Sequence, residues 1–240
     1  MDERRDKTME EELKEIRKTA LLWFIIFCTF AILLFPFSLT LFQKIYSDLV
    51  PANIKILVTN PLNLFFIQIK VSAFFAFLFS LPFLLYRIVR YLSPALYVHE
   101  RKIIKGFILP SVLLFTLGGL FAYFLLVPLT LKILNSYVLG LSSAETYFEI
   151  NQFVTFALFA IFLSGISFIL PVFMRTLSLL GLVNPKTWMK NFKYSLIAIV
   201  ILSAIITPDG TGITMLMLSI PLVSLYLAGY ALSKGVSYGN

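Results

Sequence analysis

Long apolar runs dominate the chain, and short polar stretches separate them. Most of the runs extend over about 20 residues, which is the length that an α-helix needs to cross the hydrocarbon core of a bilayer. The runs are unbroken and lack the alternating ten-residue segments of a transmembrane β-barrel. The pattern therefore predicts an all-α, polytopic membrane protein, folded as a bundle of six transmembrane helices.

The predicted spans follow the apolar runs, and all 240 residues are expected to form a single membrane domain, 1–240, that opens with a charged segment, 1–20. The six spans cover about 21–43, 64–89, 106–128, 151–174, 194–206 and 213–232. The last two spans look shorter than the others, and prolines within the spans are expected to kink them. The loops Lys44–Asn63 and Leu129–Glu149 each exceed about 12 residues, and we expect them to pack as a cap over one face of the bundle.

Basic residues are unevenly divided between the two sides of this bundle. With the N-terminus in the cytoplasm, the cytoplasmic segments hold 16 of the 20 Lys and Arg residues. Of the other four, Lys70 lies inside the second span, close enough to the outer interface to reach it. Because Lys and Arg are retained on the cytoplasmic side, both termini are predicted to be cytoplasmic. The net charge of +8 follows this asymmetry, so membrane lipid, and no nucleic acid, is the expected partner.

The composition offers little for catalysis or cofactor binding. Hydrophobic residues make up 59% of the chain and charged residues 13%, against about 25% charged in an ordinary soluble domain. The single cysteine, Cys28, and the single histidine, His99, can form neither an internal disulfide nor a metal site alone. The sequence shows no Ser, His and carboxylate cluster and no glycine-rich phosphate loop. We therefore predict that the chain is not an enzyme and binds no metal or cofactor.

Two neighbouring segments carry a recognisable pattern. Leu81–Tyr86 reads LPFLLY and Ser93–Arg101 reads SPALYVHER, and together they resemble the P-x-x-x-Y … A-P-A-L-Y-x-x-E-R pattern of the TatC family, the core subunit of the twin-arginine protein translocase. Four further matches occur in the family's order along the chain. They are LKEIR at Leu13–Arg17, FAYF at Phe121–Phe124 with Pro128, GISF at Gly165–Phe168 with Pro171, and TPD at Thr207–Asp209 with Ile220–Pro221. The ordered set is far more specific than any one match.

The resemblance implies a receptor for the twin-arginine signal peptides of folded cargo proteins. It implies that this receptor is part of a translocase that the proton-motive force powers. It also implies an oligomeric complex with the single-span partners TatB and TatA in the bacterial cytoplasmic (inner) membrane. Two adjacent guanidinium groups need anionic partners that accept paired hydrogen bonds, and the motif matches make Glu15 and Glu100 the candidates. The other candidate signal-peptide-binding residues, which would shape the surface or its charge balance, are Arg17, Pro94, Leu96, Tyr97 and Arg101.

Two positions depart from the family pattern. Ile169 stands in the fourth span where family members usually carry a polar residue, often glutamate, so the chain must do without that residue or use Gln152. Glu12 stands where the N-terminal motif usually begins with histidine. The first departure bears on any polar contact inside the membrane.

Two other functions compete with the translocase. A small-solute permease or channel would need a polar path near the bilayer midplane, and the central portions of the spans hold no Asp, Glu, Arg or His. A purely structural membrane scaffold predicts no export defect when Glu100 is changed. Capture of a peptide with paired arginines, but not of its paired-lysine version, would decide for the translocase.

Overall fold

The computed structural model of the chain describes residues 9–50, 55–58, 60–92, 100–139, 147–179, 181–207 and 212–235. Most of these residues are helical. The α-helices are α1 (Met9–Leu34), α2 (Ser38–Leu49), α3 (Leu62–Leu92), α4 (Glu100–Phe121), α5 (Val127–Leu139), α6 (Ile150–Phe168), α7 (Leu170–Leu179), α8 (Pro185–Lys190), α9 (Phe192–Ile206) and α10 (Ile213–Lys234). A 3₁₀ turn (Phe35–Phe37) joins α1 to α2, a π-helical segment (Ala122–Leu126) joins α4 to α5, and the short strands are β1 (Lys55–Leu57) and β2 (Tyr147–Glu149).

Five stretches of described helix are long and apolar enough to cross a bilayer: Arg17–Leu49, Leu62–Arg87, Gly106–Ser136, Ile150–Leu179 and Ile213–Lys234. A sixth apolar helix, α9, has 15 residues and is therefore about 22 Å long, less than the roughly 30 Å hydrocarbon core. The predicted all-α, polytopic membrane fold is confirmed. The fifth span is short as expected. The sixth, α10, is also shorter than the first four, with 22 residues against 26 to 33, although it is long enough to cross the bilayer.

Two helices continue into segments that the sequence pattern assigned to loops. In α2 the residues Phe42, Ile45 and Leu49 recur at helical spacing and bury one apolar face. In α5, Pro128 stands in the first turn, where its missing N–H and fixed φ are tolerated. Both predicted loops therefore begin as helices, and only their later parts leave the helical conformation.

Prolines affect the spans according to where they stand. Pro82, Pro110 and Pro221 lie inside the continuous helices α3, α4 and α10. Pro171 instead follows a break at Ile169, where α6 ends and α7 begins. Proline cannot donate the next hydrogen bond of the helix, and its ring crowds the carbonyl four residues earlier. The fourth span consequently consists of two helices placed end to end.

The first two spans pack antiparallel through aromatic side chains. Trp23 meets Phe77 edge-on with ring centroids 6.2 Å apart, and Phe35 meets Phe65 in the same way at 6.1 Å. Residue numbers rise along α1 as they fall along α3, so the start of α1 lies beside the end of α3. We call this the inner end of the bundle and the opposite one the outer end.

At the outer end two segments from distant parts of the chain meet in a short parallel sheet. β1 pairs with β2, with Ile56 opposite Phe148 and Leu57 opposite Glu149. The Asn63 side-chain amide also donates a hydrogen bond of 3.1 Å to Glu149 Oε1. The two predicted loops are thus tied together above α3 and α6. The wider expectation, that the loops cover the whole outer face, stays a prediction.

Small residues let the later spans approach each other closely. A Cβ placed on Gly118 of α4 would lie 2.7 Å from the Ser164 carbonyl oxygen of α6. One placed on Gly229 of α10 would lie 2.8 Å from the Cα of Pro171 in α7. Close approach through small residues is typical of helix packing in lipid, where no hydrophobic force draws helices together. The sixth span is thereby held against the second half of the broken fourth span.

Candidate functional site

Three helix ends come together at the inner end. α1 begins there and α3 ends there, and α3 packs against both α1 and α4. Glu100, the first residue of α4, follows the end of α3 at Leu92 by eight residues, a length of chain that spans at most about 28 Å. The starts of α1 and α4 therefore lie at the same end of the bundle as the end of α3.

The predicted binding residues that the structure describes belong to these helix ends. Glu15 lies in the second turn of α1, and Glu100 and Arg101 open α4. Arg17 is exposed on α1. The remaining three predicted residues lie outside the described residues: Pro94, Leu96 and Tyr97. The structure thus brings the two candidate acids to helices that begin at the same end and pack on the same neighbour.

A half-buried arginine stands near the inner end of α3. The guanidinium carbon of Arg87 lies 5.0 Å from the centroid of the Phe83 ring, a cation–π contact. Its Nε is buried and, among the described residues, has no hydrogen-bond partner. Buried polar groups without a partner are uncommon. The Nε–H of Arg87, near the end of α3, is therefore a donor that can still bind a hydrogen-bond acceptor.

At the outer end, Lys70 cross-links the second and fourth spans. Its Nζ donates to Asn151 Oδ1 and to Thr155 Oγ1, each over 2.7 Å. The sequence predicted only a lysine that reaches for the interface, and it did not reveal these acceptors. Hydrogen bonds between helices substitute for water in the apolar part of a bilayer. Lys70 consequently braces the start of α6 against α3.

A second outer contact joins α2 to the π-helical segment. Tyr123 Oη donates to Asp48 Oδ2 over 2.7 Å, and Lys44 Nζ lies 3.1 Å from Asp48 Oδ1. Single π-helical turns are rare and occur often at functional sites. The FAYF match drew attention to Tyr123, but sequence reasoning missed its partner, because Asp48 lies 75 residues away along the chain.

A cavity of about 590 Å³ lies between the fourth, fifth and sixth spans, and most of its lining side chains are apolar. The few polar side chains in its wall all have hydrogen-bond partners, and Ser167 donates to the Leu163 carbonyl of its own helix. Ser195 Oγ donates to Tyr226 Oη over 3.0 Å, and Tyr226 Oη donates to the Trp188 carbonyl over 2.7 Å. The Trp188 indole N–H donates in turn to Ser178 Oγ over 3.1 Å. The cavity therefore presents mainly apolar surface to an occupant.

These arrangements are suited to binding and bracing. In the part of the chain that the structure describes, no three His, Cys, Asp or Glu side chains gather as a metal site. Hydrogen-bonded polar groups gather at the outer end and in the cavity wall, and the candidate acids belong to the helix starts of the inner end.

Comparison with known proteins decides the family. The family model of the Sec-independent protein translocase protein TatC matches residues 11–221. The chain belongs to the TatC family. Its relative from Aquifex aeolicus (strain VF5), a Sec-independent protein translocase protein TatC, is 30% identical over 228 residues, covering 94% of each chain. The TatC protein of Cenarchaeum symbiosum (strain A) is 35% identical over 184 residues, covering 76% of this chain and 69% of its own.

A solved TatC structure shares the fold over nearly the whole length. This crystal structure, described as the twin arginine translocase receptor TatC, has a TM-score of 0.79 at 31% identity and covers 94% of this chain and 99% of its own. A second one, in the detergent DDM, gives a TM-score of 0.80. The chain is therefore a multi-pass TatC-type membrane protein of protein transport. Its relatives are named as translocase components, which is a transport role and not a catalytic one.

The position at which this TatC chain departs from the family pattern lies in the cavity wall. Ile169 stands at the break between α6 and α7 and lines the cavity. Gln152, the other polar candidate, is exposed in the first turn of α6. It is 17 residues from Ile169, or about 25 Å along a helix. Gln152 therefore cannot supply the polar residue that the family pattern led us to expect at this point, and the wall is apolar there.

Proposed function

We propose that this TatC chain is a receptor for twin-arginine signal peptides. In this proposal it is also the core of a translocase that exports folded proteins across the bacterial cytoplasmic membrane, powered by the proton-motive force. The observation that carries the proposal is the placement of Glu15 and Glu100, which lie near the starts of two helices that begin at the same end of the bundle. A structure to which the chain is similar is described as a twin arginine translocase receptor, which supports it.

Two carboxylates on helices that both pack on α3 suit a pair of arginines. A guanidinium group is planar and donates two parallel hydrogen bonds to a carboxylate, whereas a lysine ammonium acts as a compact point charge. Glu100 also stands at a helix N-terminus, where the helix dipole stabilises a negative charge. The site should therefore prefer paired arginines over paired lysines.

The remaining site residues complete the proposed surface. Arg17 lies two residues after Glu15 and Arg101 follows Glu100 directly, so a base adjusts the charge beside each acid. The loop residues Pro94, Leu96 and Tyr97 would present apolar and aromatic surface to the peptide next to its arginines. Arg87, whose Nε has no partner among the described residues, adds a donor at the same end.

We place the inner end in the cytoplasm, so that both termini are cytoplasmic. The described cations Arg17, Arg175 and Lys190 are exposed at that end, in keeping with the retention of bases on the cytoplasmic side. Signal peptides are made in the cytoplasm, and this orientation lets them reach Glu15 and Glu100 without crossing the membrane.

The proposal includes an oligomeric complex with the single-span subunits TatB and TatA. The short helix α9 leaves Ile197, Ile201 and Ile205 more than half exposed. A helix shorter than the hydrocarbon core requires the bilayer to thin or another helix to cover it. The fifth span therefore offers apolar surface for a neighbouring subunit.

Peptide capture tests the receptor function. Purified protein in detergent is passed over an immobilised peptide that contains paired arginines, and over the same peptide with paired lysines. The arginine peptide should retain the protein and the lysine peptide should retain much less, because only arginine forms the bidentate bonds. Equal retention on both peptides would refute the receptor proposal. It would also be refuted if changes far from the inner end abolished retention and changes at the inner end did not.

A further inference from the structure

The guanidinium group of Arg87 is held against α3 by an aromatic ring, while one of its donors is left over. Its carbon lies 5.0 Å from the centroid of the Phe83 ring, which stands one turn earlier on the same helix. The side chain is half-buried, and its buried Nε has no hydrogen-bond partner among the described residues. Burying part of a charged group is costly unless an acceptor is close by. An anionic partner for Arg87 is therefore expected near the inner end of α3.

Arg87 stands on the side of α3 that packs on the first span. It follows Ala76 by eleven residues and Phe65 by twenty-two, and eleven residues make about three turns of an α-helix. α3 is continuous over all of these residues. The Phe65 ring meets Phe35, which follows directly after α1, and Ala76 has no exposed surface. The face of α3 that carries Arg87 is therefore the face that meets α1.

Glu15 stands on the side of α1 that packs on α3. The main packing partner of α1 is α3, so the half-buried side of α1 is the side that faces it. Glu15 precedes Leu22 by seven residues and Ile26 by eleven, which are about two and three turns. Both of these residues are half-buried, whereas their neighbours Leu21 and Ile25 are 52% and 58% exposed. Glu15 and Arg87 therefore belong to faces that meet.

Three aromatic contacts show how the first two spans are aligned along their length. They join Trp23 to Phe77, Phe30 to Phe79 and Phe35 to Phe65. Counted from these contacts, Glu15 is 8, 15 and 20 residues away along the first span, and Arg87 is 10, 8 and 22 residues away along α3. The averages are about 14 and 13 residues, and at 1.5 Å per residue they differ by about 2 Å. Glu15 and Arg87 therefore lie at about the same level of the bundle.

Glu15 is better placed than the other acids at the start of α1. It is the last acid before the apolar run of the first span, and Glu12 lies three residues, or about 4.5 Å, further from the membrane. The Arg87 guanidinium lies over Phe83, which is on the membrane side of Arg87 along α3. The positive charge is thus turned toward the membrane and away from Glu12.

We propose that Arg87 forms an ion pair with Glu15 when no signal peptide is bound, and that an incoming peptide displaces it. The inference rests on the proposed function, in which Glu15 is one of the two acids that receive the peptide. Arg87 carries the same guanidinium group as the peptide's arginines, and one carboxylate accepts the paired hydrogen bonds of only one such group at a time. The apparent affinity is then the intrinsic affinity reduced by the fraction of protein in which Glu15 is free. Arg87 thus lowers the affinity of every peptide that uses Glu15 by the same factor.

The test is titration of labelled paired-arginine and paired-lysine peptides against the purified full-length protein in detergent. Arg87→Gln frees Glu15 and should raise the affinity of both peptides by roughly five-fold, which leaves their ratio unchanged. Arg87→Lys keeps the charge but lacks the planar fork of donors, so it should raise the affinity by less. Unchanged affinity in Arg87→Gln would overturn the proposal. Weaker binding in a folded Arg87→Gln protein would overturn it as well, because Arg87 would then bind or support the peptide.

The matched control is Arg175→Gln, which makes the same change of charge at an exposed residue of α7. It should leave the affinity of both peptides unchanged. An equal gain in Arg175→Gln and Arg87→Gln would overturn the proposal, because it would show an effect of net charge alone. Arg87→Gln should also bring no gain in a Glu15→Gln background, where the carboxylate is missing. A gain that persists there would assign Arg87 to another acid.

Unfolding in mixed micelles tests the ion pair without any peptide. Glu15→Gln and Arg87→Gln should each make the protein easier to unfold, and the double variant should be no easier to unfold than the weaker single variant, because either change already breaks the pair. Losses that add up would overturn the contact. If wild type bound the two peptides equally well, the receptor proposal would fail, whereas coupled losses in these unfolding measurements would still establish the contact between Glu15 and Arg87.

Discussion

The two ends of the bundle use their charged residues in opposite ways. At the outer end Asp48, Glu149 and Lys70 each bond to a side chain on another element. At the inner end Arg17 and Arg175 are exposed and form no ion pair among the described residues. Paired polar groups hold helices together, and unpaired ones are available to a ligand. The outer end therefore braces the fold, and the exposed cations of the inner end are in keeping with our proposal that recognition takes place there.

The largest expected effect concerns the compartment that each end of the bundle faces. A thiol label added outside should react with cysteines at the outer end and not at all with cysteines at the inner end. In a Cys28→Ser background, Ser143→Cys should react with a membrane-impermeant thiol reagent added outside. Lys186→Cys should react only after the membrane is opened. Ser143 lies outside the described residues, in a segment that the charge asymmetry assigns to the outer side. Labelling of Lys186→Cys from outside would reverse the orientation and remove the inner end from the signal peptide's compartment.

The largest quantitative effect is expected at the inner end. Glu100→Gln should weaken binding of a labelled twin-arginine peptide by roughly ten-fold or more, because a hydrogen bond to a charged group contributes about 1.5–3 kcal/mol. Glu100→Asp shortens the reach and should give an intermediate loss. Titration of the peptide against purified protein measures both.

Glu11→Gln is the control for Glu100→Gln. Glu11 belongs to the same acidic N-terminal segment but lies a turn before Glu15 on α1, so its loss should do almost nothing. Wild-type affinity in Glu100→Gln, combined with a loss in Glu11→Gln, would move the site to the N-terminal segment alone.

A smaller effect is expected at the outer end, and it concerns stability alone. Asn151→Leu removes one acceptor of the Lys70 ammonium and should lower the free energy of unfolding by about 1 kcal/mol, the usual size for a hydrogen bond between membrane helices. Gln152→Leu changes the exposed neighbouring residue and should change stability much less. Unfolding in mixed micelles measures both, and peptide affinity should be the same in both. A weaker peptide affinity in Asn151→Leu would contradict the expectation that the outer end affects stability alone.

The smallest effect should come from salt. Raising the ionic strength should weaken peptide binding by less than Glu100→Gln does, because only the exposed part of the attraction is screened. The Asn151→Leu difference in stability should persist at high salt, since its hydrogen bonds lie between packed helices. Peptide titrations and unfolding at low and high salt test the contrast. Salt-independent peptide binding would contradict an acidic, surface-exposed site.

The features that could be predicted from the sequence are those that a local pattern of residues carries. The apolar runs predicted the spans, and the SPALYVHER segment with its four companion motifs predicted the TatC family that the family model confirms over residues 11–221. Sequence reasoning was weaker where a contact joins distant positions. Nothing in the sequence paired Tyr123 with Asp48 or Lys70 with Asn151, because such pairs depend on how the spans pack. The roles of Glu15 and Glu100 stay a prediction.

The sequence by itself determined that the chain lies in a membrane as a helical bundle. Lipid offers no hydrogen-bond partners, so the backbone N–H and C=O groups of a long apolar run must pair with one another, as they do in a helix. It also determined the charge asymmetry, which needs only a count of bases. Only the tertiary structure decided that Ile169 lines a mainly apolar cavity between the fourth, fifth and sixth spans. That arrangement arises because α6 breaks before Pro171 and because Gly229 lets α10 approach α7, and close packing of this kind depends on the shapes of several helices at once.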